Sequence, residues 1–68
     1  MFKANLFRAK LKEFDKTIED MAVVLGISSA TVSRKINGIS EFKRNEIQLL
    51  RYALKLSDDE VNAIFFAE

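Results

Sequence analysis

Apolar side chains recur along the chain at the three- and four-residue spacing of helices that are buried on one side. Five stretches show this spacing and predict helices at residues 3–14, 17–25, 28–36, 44–55 and from 57 onward. Their inward-facing positions are Ala4, Phe7, Leu11, Phe14, Ile18, Met21, Ala22, Leu25, Val32, Ile36, Ile47, Leu50, Leu54, Val61, Ile64 and Phe65. Because no segment alternates apolar and polar residues as a half-buried strand does, we predict an all-α fold of five helices.

Polar residues and glycines mark the predicted ends of these helices. Residues suited to capping a helix N-terminus precede the second, third and fifth helices, namely Thr17 with Asp20, Ser28, and Ser57 with Glu60. The only two glycines, Gly26 and Gly38, follow the second and third helices. Glycine is the commonest residue there because it adopts the left-handed conformation without steric cost.

The composition indicates one small domain, residues 1–68, of a soluble globular protein. No apolar run approaches the roughly 18 residues of a membrane span, and basic residues interrupt any apolar stretch near the N-terminus. The chain has no cysteine and no histidine, so it lacks thiolate ligands and the commonest base at neutral pH. We expect a cytoplasmic protein without membrane contact, metal, cofactor or small-molecule ligand, and not an enzyme.

The net charge of +1 conceals two regions of opposite charge. All eleven lysines and arginines lie between residues 3 and 55, and residues 1–56 carry a net charge of +5, whereas the last twelve residues carry −4. A basic body suggests a polyanionic partner, and the alternative is that the charges only solvate the surface. The acidic tail has a structural explanation, since Asp58 and Asp59 open the fifth helix, where negative charge suits the helix dipole.

The segment 17–37 predicts a helix-turn-helix unit. Gly26 permits a tight reversal between its two helices, and Ala22 is small enough for the second helix to pass close over the first. The residues left facing outward on that second helix are Ser29, Ala30, Thr31, Ser33, Arg34 and Lys35. They are small and polar first and cationic afterwards, which suits a helix that enters the major groove of DNA, about 12 Å wide.

In this segment the sequence resembles the phage lambda repressor/Cro-type helix-turn-helix proteins, also called the Xre family. The resemblance rests on Ala22 and Gly26 followed by Ile27-Ser28, Thr31-Val32-Ser33 and Asn37-Gly38. It is close over about residues 17–40 and extends loosely, through the five-helix layout, to the whole chain. It implies a lambda-repressor-like fold and a transcriptional regulator of the kind found in phages and mobile elements.

The resemblance also implies roles for individual residues. Positions that face base edges in the family are Ser29, Ala30, Thr31, Ser33 and Arg34. Positions that contact phosphates are Thr17, Ile18, Ser28, Lys35, Asn37, Ser40, Lys43 and Arg44. Three residues depart from the common pattern: Ile18 replaces a glutamine, Ile36 a glutamate, and Lys35 an apolar residue. Ile18 can therefore contact phosphate only through its backbone.

Two of these residues have a competing structural interpretation. Ser28 is well placed to cap its helix instead of binding DNA. Arg34 can pair with Glu41 or remain solvated instead of reading guanine.

Proteins of this kind usually bind DNA as dimers on two half-sites, so we expect a homodimer on double-stranded DNA. Phe65 and Phe66 are adjacent on the last helix, and so small a core cannot fully bury both. The candidates for a dimer surface are Ile64, Phe65 and Phe66; the alternative is that both phenylalanines pack at the edges of the core. A protein-interaction module on the same scaffold, or an antitoxin with a toxin partner, are the alternative functions.

Overall fold

The computed structural model describes all 68 residues and is all-α, as the sequence predicts. The helices are α1 (Ala4–Glu13), α2 (Ile18–Leu25), α3 (Ser29–Ile36), α4 (Arg44–Ala53) and α5 (Asp58–Val61). The chain continues from α5 without a break into a π-helical segment, Asn62–Phe66. None of the helices has the length and apolar character that crossing a membrane requires.

At three of the helices the side chain of the N-cap residue accepts a backbone hydrogen bond, and the sequence predicts all three. Thr17 Oγ1 accepts a hydrogen bond from Asp20 N at 3.1 Å, and Asp20 Oδ2 accepts one from Thr17 N at 2.9 Å. Ser57 and Glu60 form the same reciprocal box at the start of α5. These bonds satisfy backbone donors that have no partner within the helix.

Four helices end in the same way, with one residue in the left-handed conformation. These residues are Asp15, Gly26, Gly38 and Lys55. In each case the next N–H bonds to a carbonyl five residues earlier, as Ile27 N does to Ala22 O at 3.1 Å. After Asp15, Gly26 and Lys55 one residue follows and then the cap of the next helix, so three of the four connections share one compact form.

The core draws on every helix. The largest side chains that are fully buried are Phe7, Met21, Val32, Leu50 and Leu54. Residues predicted to face inward but only partly buried are Ala4, Phe14, Ile18, Leu25 and Ile47, which pack at its margin. Around Phe7, the rings of Phe2, Phe42 and Phe65 form an aromatic cluster with centroid separations of 5.1 to 6.3 Å. Such tilted contacts stabilise beyond the burial of area.

The terminal segment corrects part of the predicted dimer surface. Ile64 is 2% exposed and Phe65 is 7% exposed, so both belong to the core and neither is available to a second copy. The prediction that the core cannot fully bury both adjacent phenylalanines is confirmed, because Phe66 is 58% exposed. Lys3 N donates to Ile64 O at 2.7 Å and ties the N-terminal segment to this part of the chain.

Candidate nucleic-acid interface

The α2–α3 corner is built around the left-handed residue Gly26. Its N–H bonds to Val23 O at 3.3 Å while Ile27 N bonds to Ala22 O, and these bonds close the end of α2. Ala22 and Met21 of α2 and Val32 of α3 are buried where the two helices pack together. The core thus holds α3 by one face and determines which of its side chains point away.

The outward face of α3 carries the residues predicted to meet base edges. Ala30 and Arg34 are exposed, whereas Ser29, Thr31 and Ser33 are half-buried. All five therefore remain accessible on one short helix whose opposite face is sealed. Apart from Arg34 these side chains are short, so the exposed part of the helix is narrow.

Ser28 caps α3, as its structural interpretation predicts. Its Oγ accepts from Thr31 N at 3.1 Å and lies 2.9 Å from Thr31 Oγ1. The Thr31 hydroxyl is thus oriented before any ligand arrives, and one of its hydrogen-bonding positions is already occupied. Ser28 stays exposed, so capping does not hide it from a phosphate.

Arg34 is the cation on the exposed face of α3. It is exposed and forms no ion pair with Glu41 or with any other residue. All five N–H donors of its guanidinium are therefore available to an external acceptor. This geometry leaves open the bidentate contact with guanine that the resemblance implies.

Lys35 is not a surface cation, and its predicted contact with phosphate is wrong. Its side chain is 7% exposed, and Nζ donates to Glu46 Oε1 at 2.8 Å and to Glu41 O at 3.1 Å. The sequence predicts Lys35 on the surface because lysines are almost never fully buried unless they are paired. The signals for burial were the helical spacing with Val32 and the apolar residue at this position in the proteins that the sequence resembles.

Glu46, which sequence reasoning missed, completes a buried polar cluster. Its Oε1 also accepts from Lys43 N at 2.8 Å, so the carboxylate caps α4 as well. Burial by itself raises the pKa of the Glu46 carboxyl, but the hydrogen bonds from Lys35 and from Lys43 N lower it by more. The pKa of Glu46 therefore lies below its usual value, and its carboxylate is charged at neutral pH.

The α3–α4 connection gathers the remaining predicted phosphate contacts. Asn37, Ser40, Lys43 and Arg44 are all exposed. Lys43 and Arg44 form no ion pair, although both stand at the start of α4, where a cation opposes the helix dipole. A phosphate bound there would turn that unfavourable placement into an attraction.

The start of α2 has fewer groups available to a phosphate than the sequence predicts. Thr17 is exposed, but its N–H donates to Asp20 Oδ2 and its hydroxyl oxygen accepts from Asp20 N. The pKa of Asp20 lies below its usual value because it accepts hydrogen bonds from the Thr17 backbone and side chain. Ile18 packs against the core, so only its backbone can meet a phosphate.

Acidic residues near the C-terminus form ion pairs with other helices of the protein. Glu60 pairs with Lys10 of α1, and Asp58 pairs with Arg51 of α4. Asp58 and Asp59 lie in the first turn of α5, as predicted, and the ion pairs give Asp58 and Glu60 a structural role. They also take Lys10 and Arg51 out of the set of free cations.

In comparisons with known proteins, no protein-family model and no curated protein matches the chain.

Proposed function

We propose that the protein is a sequence-specific DNA-binding transcriptional regulator, of the Cro/repressor kind and acting in the cytoplasm, that reads the major groove with α3. One observation carries the proposal: α3 is buried along one face and presents Ser29, Ala30, Thr31, Ser33 and Arg34 along the other. A narrow helix with a free guanidinium near its C-terminal end suits a groove about 12 Å wide.

In the proposed complex, one set of contacts gives sequence preference and another fixes the position of the protein on the duplex. Side chains of α3 meet base edges and supply sequence preference, with Arg34 reading guanine and Ala30 against a thymine methyl. Lys43 and Arg44, with the polar groups of Asn37 and Ser40, hold flanking phosphates and fix the register of the protein on the duplex.

In this proposal the active form is a homodimer on two half-sites separated by one turn of DNA, roughly 34 Å. Of the three residues predicted for the dimer surface, Phe66 alone is exposed and can contact a second copy. A twofold protein predicts an inverted repeat in the DNA site.

Selection of bound duplexes from a random-sequence pool tests this function. We expect an enriched inverted repeat, and binding in a mobility-shift assay that weakens steeply as salt is added. A pool with no enriched sequence, together with no shift of mixed-sequence duplex at low salt, would rule the proposal out.

A protein-interaction module is the second candidate function, and exposed apolar residues favour it. Phe66 and Met1, at 58% and 78% exposed, stand at an open cleft of about 710 Å³ that Phe2, Phe42 and Phe65 also line. An antitoxin would use such a surface for its toxin while still binding DNA. Phe66→Ala separates the two roles, since it leaves binding to a single half-site intact and abolishes docking of a protein partner.

A further inference from the structure

The buried Lys35–Glu46 pair joins two parts of the proposed interface that differ in task. Lys35 lies on α3, one residue beyond Arg34, and Glu46 lies on α4, two residues beyond Arg44. Both side chains are 7% exposed, and Nζ and Oε1 are 2.8 Å apart. The pair therefore links the helix that faces base edges directly to the helix start that faces phosphates.

Two further hydrogen bonds extend the pair to the connecting segment. Lys35 Nζ donates to Glu41 O at 3.1 Å, and Glu46 Oε1 accepts from Lys43 N at 2.8 Å. The Lys35 ammonium also lies 6.0 Å from the centroid of the Phe42 ring. Three consecutive residues, 41 to 43, are thus held from beneath by one ammonium and one carboxylate.

Stability alone does not explain such a pair. Replacing a buried ion pair by apolar residues of similar size is often neutral or stabilising, because removing two charges from water is costly. What apolar residues cannot reproduce are the two bonds to backbone atoms of the connection, Glu41 O and Lys43 N. Those two bonds fix where Lys43 and Arg44 stand relative to α3.

We propose that Lys35 and Glu46 are positioning residues that set the register between base contacts from α3 and phosphate contacts from the start of α4. The inference rests on the proposed function and adds to it the device that makes the DNA contact selective. A duplex is a stiff ligand, so phosphates bound at Lys43 and Arg44 determine where Arg34 meets the bases. If the connection is no longer fixed, α3 binds many DNA sequences with similar affinity.

The test replaces the whole pair, so that neither charge is left buried alone. Lys35→Met/Glu46→Leu keeps the volume and the net charge, and Arg51→Met/Asp58→Asn is the matched control, since it removes one ion pair, between α4 and the start of α5, outside the interface. Affinities of both variants and the wild type are measured for the duplex recovered by selection and for sheared genomic DNA of mixed sequence. Amide hydrogen exchange of residues 39–43 is followed without DNA.

We expect the pair variant to fold, to exchange faster at residues 39–43, and to lose about tenfold or more in the ratio of selected to mixed-sequence affinity. The slope of log affinity against log salt stays as in the wild type, because Lys43 and Arg44 still neutralise phosphates. The control variant keeps the wild-type ratio.

An unchanged ratio in the pair variant overturns the inference, whether or not the connection exchanges faster. A lowered ratio with unchanged exchange overturns it too, because the loss then does not arise in the connection. If wild-type protein shows no preference between the two DNAs, the proposed function itself has failed, and this outcome is separate from the other two.

Discussion

Arg34 and Lys35 are neighbours of like charge on α3 with opposite surroundings. Arg34 is exposed and unpaired, whereas Lys35 is 7% exposed and bonded to Glu46. The sequence predicts both as surface cations, because nothing in residue type separates them. Only the position of Lys35 in the helical repeat with Val32 and Ile36 does so, and a buried lysine needs a partner that lies eleven residues further on.

Arg34→Ala tests direct reading of the bases. We expect the binding free energy for the selected duplex to weaken by about 1–3 kcal/mol and the sequence preference at one base pair to relax, because a bidentate contact with guanine is lost. Titration of the selected duplex and its single-base variants measures both effects. Equal losses on selected and mixed-sequence DNA would remove Arg34 from base readout.

Lys43→Ala tests the phosphate contacts. Here we expect weaker binding to all sequences alike and a salt slope that is flatter by about 0.9, the contribution of one neutralised phosphate. Lys55→Ala, which removes an exposed cation outside the predicted interface, is the control and leaves the slope unchanged. A Lys43→Ala variant with the wild-type slope would contradict the assignment.

The buried carboxylate predicts how stability depends on pH. Because the pKa of Glu46 is lowered in the folded protein, its contribution is complete above the ordinary carboxylate pKa, about 4.3, and is lost as the pH falls through the folded value. Lys35→Met/Glu46→Leu should therefore lose less free energy of unfolding than the wild type between about pH 6 and pH 3. Urea titrations at both pH values measure the free energy of unfolding of the two proteins. Equal decreases in the wild type and the variant would show that the pair does not contribute to the pH dependence of stability.

At the scale of the elements, the sequence predicts helix starts better than helix ends. Thr17, Ser28 and Ser57 are recognisable because few residue types cap a helix N-terminus. Glycine reveals two of the four left-handed ends, but Asp15 and Lys55 adopt the same conformation with φ of 54° and 51°. Asp tolerates this region and Lys has no such tendency, so local sequence carries no marker for Lys55.

Lys55→Gly is expected to stabilise the protein by about 0.5–1 kcal/mol, because relief of left-handed strain exceeds the entropy that glycine loses on folding. Lys55→Ala is the control, since alanine keeps a Cβ and the strain. Chemical denaturation measures both. A Gly variant no more stable than the Ala variant would show that φ at residue 55 carries no strain.

The π-helical end of the chain is a further element that periodicity does not predict. Its five residues, Asn62–Phe66, have the composition of an ordinary amphipathic helix. A π-helix differs from an α-helix in the carbonyl to which each N–H bonds, and residue types do not indicate that difference. The sequence nevertheless predicts that Val61, Ile64 and Phe65 face inward, and all three are buried.

The whole molecule is small, and a core of this size supplies only about 3–5 kcal/mol of net stability. Most of its architecture follows from the apolar repeat and the caps, because these are local features of the sequence. The α3–α4 connection does not, since Lys35 and Glu46, which bond to its backbone, lie eleven residues apart in the sequence. The interface proposed here thus combines a helix that local sequence predicts with a connection that only the folded structure shows.

Marginal stability makes binding visible as a thermal shift. Duplex at about a hundred times its dissociation constant stabilises the folded state by about 2.7 kcal/mol, which for a domain of this size raises Tm by about 10–20 °C. We expect this shift with the selected duplex at low salt and little of it at high salt. Differential scanning calorimetry with and without DNA measures it, and an unchanged Tm at low salt would contradict binding to the folded protein.

Mapping of the bound surface shows whether α3 and the α3–α4 connection contact DNA. Backbone amide shifts are followed by NMR while a duplex that carries one half-site of the selected sequence is added to labelled protein. We expect the largest changes at residues 28–34 of the α3 face and at residues 37–44 of the connection, with the exposed Phe66 unaffected on a single half-site. Changes at Met1, Phe2 and Phe66 of the cleft, with residues 28–34 unmoved, would contradict it.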